Sequence, residues 1–393
     1  MRVVELTSHL ITLPLKREIK HASHARQDST NIVVRCRLED GTLGYGEGVP
    51  RSYVTGETPE GAMEQLAASG LPRQLSDACE SWQDAIALCE RIELVKPKKD
   101  DRGCYGNALR CAIELALLDA FGQRLGEPVS RVTELYEPAA CVRRPPEPVR
   151  YSGAVTAEGR WREVWSALKM RIYGFRHCKV KVGVPGADDV ARLRRIRRWL
   201  GWRIDVRLDA NEAWQPDELP EHIAALLPYG ITSMEQPVPH KQVDALSAYR
   251  GRIGVPLMHD ESLTSEIDGR RAIERGTCDL FNIRLSKCGG YLASLRLAAM
   301  ADQAGLGYQL GCHPGESGIL SAAGRHWSST VKNVRYLEGS YDRHLLRELL
   351  TAEDITFGYG GRAPILDRPG LGITVLPEVL ERLSIKRHTE KWS

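Results

Sequence analysis

The sequence predicts an α/β protein: a TIM-like (β/α)7β barrel, with an α+β capping domain in front of it that the C-terminal tail completes. Three observations carry this expectation. The chain has 393 residues, more than one hydrophobic core usually supports. Its first third changes from strand-like alternation to helix and then to a Pro-rich linker. Beyond the linker a strand, loop and helix unit recurs with a nearly constant period.

The N-terminal segment opens with Arg2, Glu5 and His9 set among apolar residues in near alternation, which reads as a strand and not as a signal peptide. Val3 to Leu15 and Ile32 to Leu38 are strand candidates, and Asp40-Gly41 supplies a tight turn before Gly44 to Glu47. After Thr58 the pattern is helical. It ends in Asn107 to Leu125, where Leu109, Ala112, Ile113, Ala116, Leu117, Ala120 and Phe121 return at helical spacing. Pro128, Pro138, Pro145, Pro146 and Pro148 then mark a linker, so the capping domain is expected over residues 1–145.

The barrel is expected over residues 146–350. Lys181, Asp209, Glu235, Asp260 and Lys287 each follow a short apolar run, at steps of 28, 26, 25 and 27 residues, the length of one strand, one helix and two loops. Cys312 and Glu338 continue the rhythm. Helical intervals such as Ala187 to Leu200, Glu218 to Leu227 and Leu292 to Ala304 fall between them. No Gly-rich dinucleotide or phosphate loop follows the first strand of the repeat, which favours a barrel over an open doubly wound sheet. From about Leu350 a Gly- and Pro-rich tail, residues 351–393, is expected to return to the capping domain.

Composition narrows the function. Charge is nearly balanced, 54 Lys plus Arg against 51 Asp plus Glu, so neither nucleic acid nor a membrane surface is an expected partner. The ten cysteines include no C-x-x-C pair, which points to a reducing cytoplasm and away from disulfide or zinc scaffolds. Small-molecule chemistry fits better, and further copies of the same chain are the expected protein partner.

Residues at the C-terminal ends of barrel strands converge on one mouth, however far apart they stand in sequence. Asp209, Glu235 and Asp260 would then form a triad of hard oxygen donors suited to Mg²⁺, with Mn²⁺ as the alternative. Any one acid after a strand is as readily a helix cap or a surface charge; three in register are not. Lys181 and Lys287 flank the triad and are placed to face each other across the mouth. A lysine titrates near about 10.4, but burial and nearby cations lower it into the range of a useful base. Lys179 shares a strand face with Lys181, so one is expected as base and the other as an electrostatic partner of a carboxylate or oxyanion.

These residues resemble a known family. Lys179-Val180-Lys181, Asp209-Ala210-Asn211, Glu235-Gln236-Pro237, Asp260-Glu261-Ser262 and Asn282-Ile283-Arg284-Leu285-Ser286-Lys287-Cys288-Gly289-Gly290 are similar, in order and spacing, to the barrel motifs of the muconate lactonizing enzyme subgroup of the enolase superfamily. Gly44 to Glu47, Ala112 to Asp119 and Pro369-Gly370-Leu371-Gly372 extend the resemblance over nearly the whole chain. It implies that Asp209, Glu235 and Asp260 bind Mg²⁺, supported by Asn211 and Glu261. Lys181 and Lys287 are then the acid/base pair, with Lys179 as companion, and the α-proton of a carboxylate substrate leaves by way of an enediolate. The mandelate racemase subgroup would need a His/Asp dyad, and Lys287 stands where its Asp is expected.

The resemblance further places substrate contacts on the cap loops Lys20 to Arg26 and Val49 to Thr58, with Arg51 and Tyr53, and on His313, Glu316 and Glu338 at the last strand ends. Glu338 and Asp342 would meet a substrate ammonium, although the Asp-x-Asp expected of dipeptide epimerases is replaced by Leu337-Glu338-Gly339. The leading expectation is a racemase or epimerase of an amino-acid derivative or dipeptide. Cycloisomerisation of the muconate type, dehydration of the o-succinylbenzoate synthase type and an idle barrel acting as a binding protein are the alternatives.

Overall fold

The computed structural model describes residues 1–20, 25–156 and 159–392. The capping domain begins with a meander of β1 (Val3–Lys20), β2 (Ala25–Leu38) and β3 (Leu43–Gly48), antiparallel throughout. The expected turn joins β2 to β3: Gly41 has a φ of 89°, and Thr42 donates its N–H to Asp40 Oδ1 at 3.0 Å. Both strands run further than expected, β1 to Lys20 and β2 from Ala25.

On β3 the glycines fall on one face, because side chains alternate along a strand. That face lies directly on the helix Asn107–Leu125, whose Ala108, Ala112, Ala116 and Ala120 form a ridge of small residues one turn apart. A Cβ on Gly44, Gly46 or Gly48 would sit 2.1, 2.0 or 1.9 Å from the helix backbone at Ala120, Ala112 and Ala108. Glycine is therefore required at all three positions. The opposite face of β3 sends the buried Glu47 toward the barrel, where it accepts from Ser317 Oγ at 2.7 Å and from the N–H groups of Ser317 and Leu320.

Short β4 (Val149–Arg150) leads into eight parallel strands: β5 (Gly153–Val155), β6 (His177–Lys181), β7 (Asp205–Asp209), β8 (Ile231–Glu235), β9 (Leu257–His259), β10 (Leu280–Ile283), β11 (Gly307–Leu310) and β12 (Val334–Leu337). Each pairs with the next in chain order, and Ser152 N–H donates to Leu337 C=O at 2.8 Å, bringing the first strand edge against the last. Among the described residues seven helical connections separate the eight strands, the (β/α)7β order. Six are α-helices. The connection from β8 to β9 departs from expectation: after Pro237 and Pro239, which lack N–H donors, His240–Ala248 winds in 3-10 turns.

The tail returns as expected. β13 (Arg362–Ala363) pairs with β4, and β14 (Ser384–Lys391) adds a fourth strand to the cap sheet beside β1. Asp119, on the cap helix, accepts from Tyr45 N–H of β3 and from Leu371 N–H of the tail, both at 2.8 Å, so one carboxylate fastens strand, helix and tail together. Among the described residues no helix is long and apolar enough to cross a membrane.

Candidate active site

The strand register sets the expected residues at neighbouring strand ends. Lys181 pairs with Asp209 across β6 and β7, and Asp209 with Glu235 across β7 and β8. Asp260 is the first residue after β9. All three acids are buried. Three non-glycine residues just beyond the strands, Asn211, Glu212 and Gln236, have φ of 44°, 67° and 35°, left-handed backbone held in place where the acids are presented. Gln236 locks the next strand end as well: its Oε1 accepts from Asp260 N–H at 2.9 Å and from Ser262 N–H at 3.1 Å. Asn211 donates from Nδ2 to Glu261 Oε1 at 3.4 Å and from its N–H to Asp209 at 3.1 Å, tying the two residues expected to support the triad to each other.

Cations are interleaved with these acids. Lys179 Nζ lies 2.8 Å from Glu338, 3.3 Å from Asp209 and 3.6 Å from Glu235. Burial alone would lower its pKa, but Glu235, Glu338 and Asp209 hold it well above the ordinary lysine value. Lys181 behaves oppositely. Burial drives it down, Lys179 and Arg284 add to the shift, and the opposing pull of Asp209 and Glu261 leaves it below its ordinary value. One strand face thus carries two lysines shifted in opposite directions, Lys179 up by the acids around it and Lys181 down by burial.

Lys287, expected as the second member of the acid/base pair, has no solvent-exposed side-chain surface. Its Nζ donates to Asp260 Oδ1 and Asp260 C=O at 2.7 Å and to Asn282 C=O at 2.8 Å. The cap helix pins the same loop, Asn107 Nδ2 donating to Lys287 C=O at 2.8 Å and Thr264 C=O at 2.7 Å. Arg284, the first residue past β10, shares Asp260 with Lys287: it is hydrogen-bonded to Asp260 Oδ2 and lies 3.9 Å from Glu235.

Glu338, expected against the substrate, is instead taken up inside the barrel by Lys179 and by Arg207 Nη2 at 2.5 Å. Burial opposes its ionisation, yet Lys179 and Arg207 bring it down to about 2. Arg207 is fully buried on β7, two residues before Asp209 and on the same face, stacked over Tyr336 at 4.6 Å. The sequence reading did not single it out. Its signal was a charge at the centre of the strand, between Val206 and Leu208.

At the last strand ends His313 and Glu316 face each other, the His313 N–H donating to Glu316 Oε1 at 2.6 Å. Burial pushes Glu316 up to about 8 and, with Arg284 and Arg51, holds His313 well below its ordinary value. Arg51 turns into the cap, donating to Pro50 C=O and Ser29 Oγ at 2.7 Å. Tyr53 stands beside Arg26, which crosses to Pro314 C=O at 2.7 Å. Of the cap loop Lys20 to Arg26, residues 21–24 lie outside the described residues.

The donor set suits a hard divalent cation: three carboxylates at adjacent strand ends, with Glu235 Oε2 buried and lacking a hydrogen-bond partner. Burial and the crowding of Asp209, Glu338 and Asp260 push Glu235 well above the carboxylate range, a strain that a cation relieves. Among the described residues the acids are not gathered about one point; Asp260 is drawn to Lys287 and Arg284, and Asp209 to Lys179.

Residues 163–379, more than half the chain, match the model of a family described as enolase C-terminal domain-like. The L-Lys-D/L-Arg epimerase of Methylococcus capsulatus is 30% identical over 95% of this chain and 99% of its own length. The N-succinyl-L-Arg/Lys racemase of Bacillus cereus is 28% identical over 98% of both chains, and its crystal structure superposes with a TM-score of 0.86 at 26% identity over the full length of both. Muconate cycloisomerase 1 of Rhodococcus opacus is 25% identical over 95% of this chain and 96% of its own. A dipeptide epimerase from Cytophaga hutchinsonii, solved with Mg and the dipeptide D-Ala-L-Val, covers 99% of this chain and all of its own at 25% identity and a TM-score of 0.84. Strand order, capping domain and relatives agree: the chain belongs to the enolase C-terminal domain-like family and is an isomerase of the mandelate racemase and muconate lactonizing enzyme branch of the enolase superfamily.

Proposed function

We propose that this isomerase removes the proton from the carbon next to the carboxylate of a small amino-acid-derived substrate, with Lys181 as the base. One observation carries the reading: Lys181 ends β6 in register with Asp209, which is itself in register with Glu235, while two residues back on the same strand face Lys179 lies 2.8 Å from Glu338 and 3.3 Å from Asp209. An amine at the end of β6 takes a proton from carbon when it is in its neutral form. The fixed ammonium of Lys179 favours the negative charge that passes to the carboxylate oxygens.

Asp209, Glu235 and Asp260 are the residues that would hold Mg²⁺ or Mn²⁺. A divalent cation there supplies positive charge beside the substrate carboxylate as it gains electron density. In this reading residues 1–145 and the tail 351–393 enclose the distal part of the substrate, through Arg51, Tyr53, His313 and Glu316, and residues 146–350 carry the chemistry. The relatives' names support two outcomes for the carbanion: return of the proton with change of configuration, as in the racemase and epimerases, or rearrangement, as in the cycloisomerase.

The test is deuterium uptake. N-succinyl amino acids and dipeptides incubated with enzyme and Mg²⁺ in deuterium oxide are expected to exchange the α-hydrogen, and a chelator to stop the exchange and lower the melting temperature. Neither exchange nor metal-linked stabilisation across such a panel refutes the reading.

A further inference from the structure

The barrel ring fixes which groups stand opposite Lys181, and the second proton carrier that inversion requires is not found at the position the spacing suggested. Lys181 ends β6, the second strand of the barrel, and the element four strands around the ring of eight is β10. The first residue past β10 is Arg284, as Asp260 is the first past β9 and Glu338 the first past β12. Lys287 comes three residues later, in the turn that follows the strand, and its Nζ is held on Asp260 and on Asn282 C=O. An ammonium has three N–H donors, and the three oxygens on Lys287 Nζ at 2.7, 2.7 and 2.8 Å take all of them, with no side-chain surface left open. Arg284 retains a buried Nε without a hydrogen-bond partner, and its Nη2 lies on Asp260 and near Glu235, at the heart of the site.

We infer that Arg284 takes the place of a second base, so that this enzyme moves protons on the Lys181 face alone. The inference rests on the proton-abstraction reading above and narrows it. A guanidinium binds a carboxylate through paired N–H donors but offers no lone pair with which to take a proton from carbon. On the Lys181 face the C–H bond breaks, its electrons pass into the carboxylate system and the proton goes to Lys181 Nζ. With no carrier opposite, the carbanion either regains the proton on the same face or expels a group from the neighbouring carbon within the same molecule. Ring opening of a lactone is such a step: the C–O bond breaks, its electron pair leaves with the departing carboxylate, and a double bond forms between the two carbons. Lys181 then gives its proton to the departing carboxylate or to solvent, so that, counting this proton, the product is an isomer of the starting material and no co-reactant is needed. The reaction class is therefore cycloisomerisation, and not racemisation.

The two enantiomers of N-succinyl-arginine, supplied separately in deuterium oxide with Mg²⁺, are the probe. Wild-type enzyme is expected to exchange the α-hydrogen of one enantiomer at least tenfold faster than that of the other, without inverting it. Arg284→Lys restores a proton carrier on the second face and is expected to raise exchange from the slow enantiomer at least tenfold, with inversion now detectable. Comparable exchange from both enantiomers by the wild type overturns the inference while leaving proton abstraction standing. So does an Arg284→Lys enzyme that folds, as judged by its melting curve, and keeps the wild-type preference. Exchange from neither enantiomer by the wild type defeats the proton-abstraction reading and this inference with it.

Discussion

Replacing Lys287 with Met separates a buried structural lysine from a catalytic one by a measurement of stability. Methionine nearly matches the aliphatic stem, so the packing loss is small. What is removed is an ammonium that pairs with the buried Asp260 at 2.7 Å and satisfies two backbone carbonyls, Asp260 C=O and Asn282 C=O. Deleting one partner of a buried ion pair costs about 3–5 kcal/mol, and each carbonyl left without a donor adds to it. These contributions overlap because Asp260 takes part in two of them, so a total of about 4 kcal/mol is expected. A lysine facing the mouth would cost less than about 1 kcal/mol, the usual size of an exposed charge pair. Urea unfolding followed by tryptophan fluorescence measures the difference. Lys287→Met with near wild-type stability, combined with loss of exchange from one substrate enantiomer, would refute the assignment and restore Lys287 as a base.

Two further perturbations follow from the cap. Gly46→Ala puts a Cβ 2.0 Å from Ala112 C=O and 2.5 Å from Ala116 N, both backbone, so strand and helix must separate. A loss of about 3 kcal/mol is expected in the same urea assay, and an unchanged midpoint would contradict the close packing. Glu57 accepts from the N–H groups of Ala108 and Leu109 at the start of the cap helix, and burial pushes it up to about 7. The folded state therefore binds a proton that the unfolded state releases near about 4.3. This contribution is complete below the unfolded pKa and is lost as pH rises through about 7. Between pH 5 and 8 the wild type is expected to lose stability relative to Glu57→Gln, and parallel pH profiles would remove Glu57 from the account.

The barrel was legible because its period is geometric. One strand, one helix and two loops take about 25 residues, and a charge at each strand end marks the count. Asp209, Glu235 and Asp260 lie within one residue of their strand ends, so counting found them. The same counting settled on Lys287, whose step of 27 residues fits the rhythm, whereas β10 ends at Ile283 and the first residue past it is Arg284. Only the strand end decides which side chain faces the mouth. Arg207, and the pairing of Glu338 with it, were illegible for another reason: the two stand 131 residues apart, which no local pattern announces. The strand Ser384–Lys391 hid in a polar segment, since it joins the cap sheet at its edge, beside β1.

The account turns on one amine removing one proton. α-Hydrogen exchange in deuterium oxide, measured for Lys181→Met against wild type with Mg²⁺ present, tests it most directly. A general base contributes about 10²–10⁴ in rate, so exchange is expected to fall at least a hundredfold while the melting temperature stays close to that of the wild type. Exchange within a few-fold of wild type in a folded Lys181→Met enzyme would contradict the account and place the base elsewhere in the mouth.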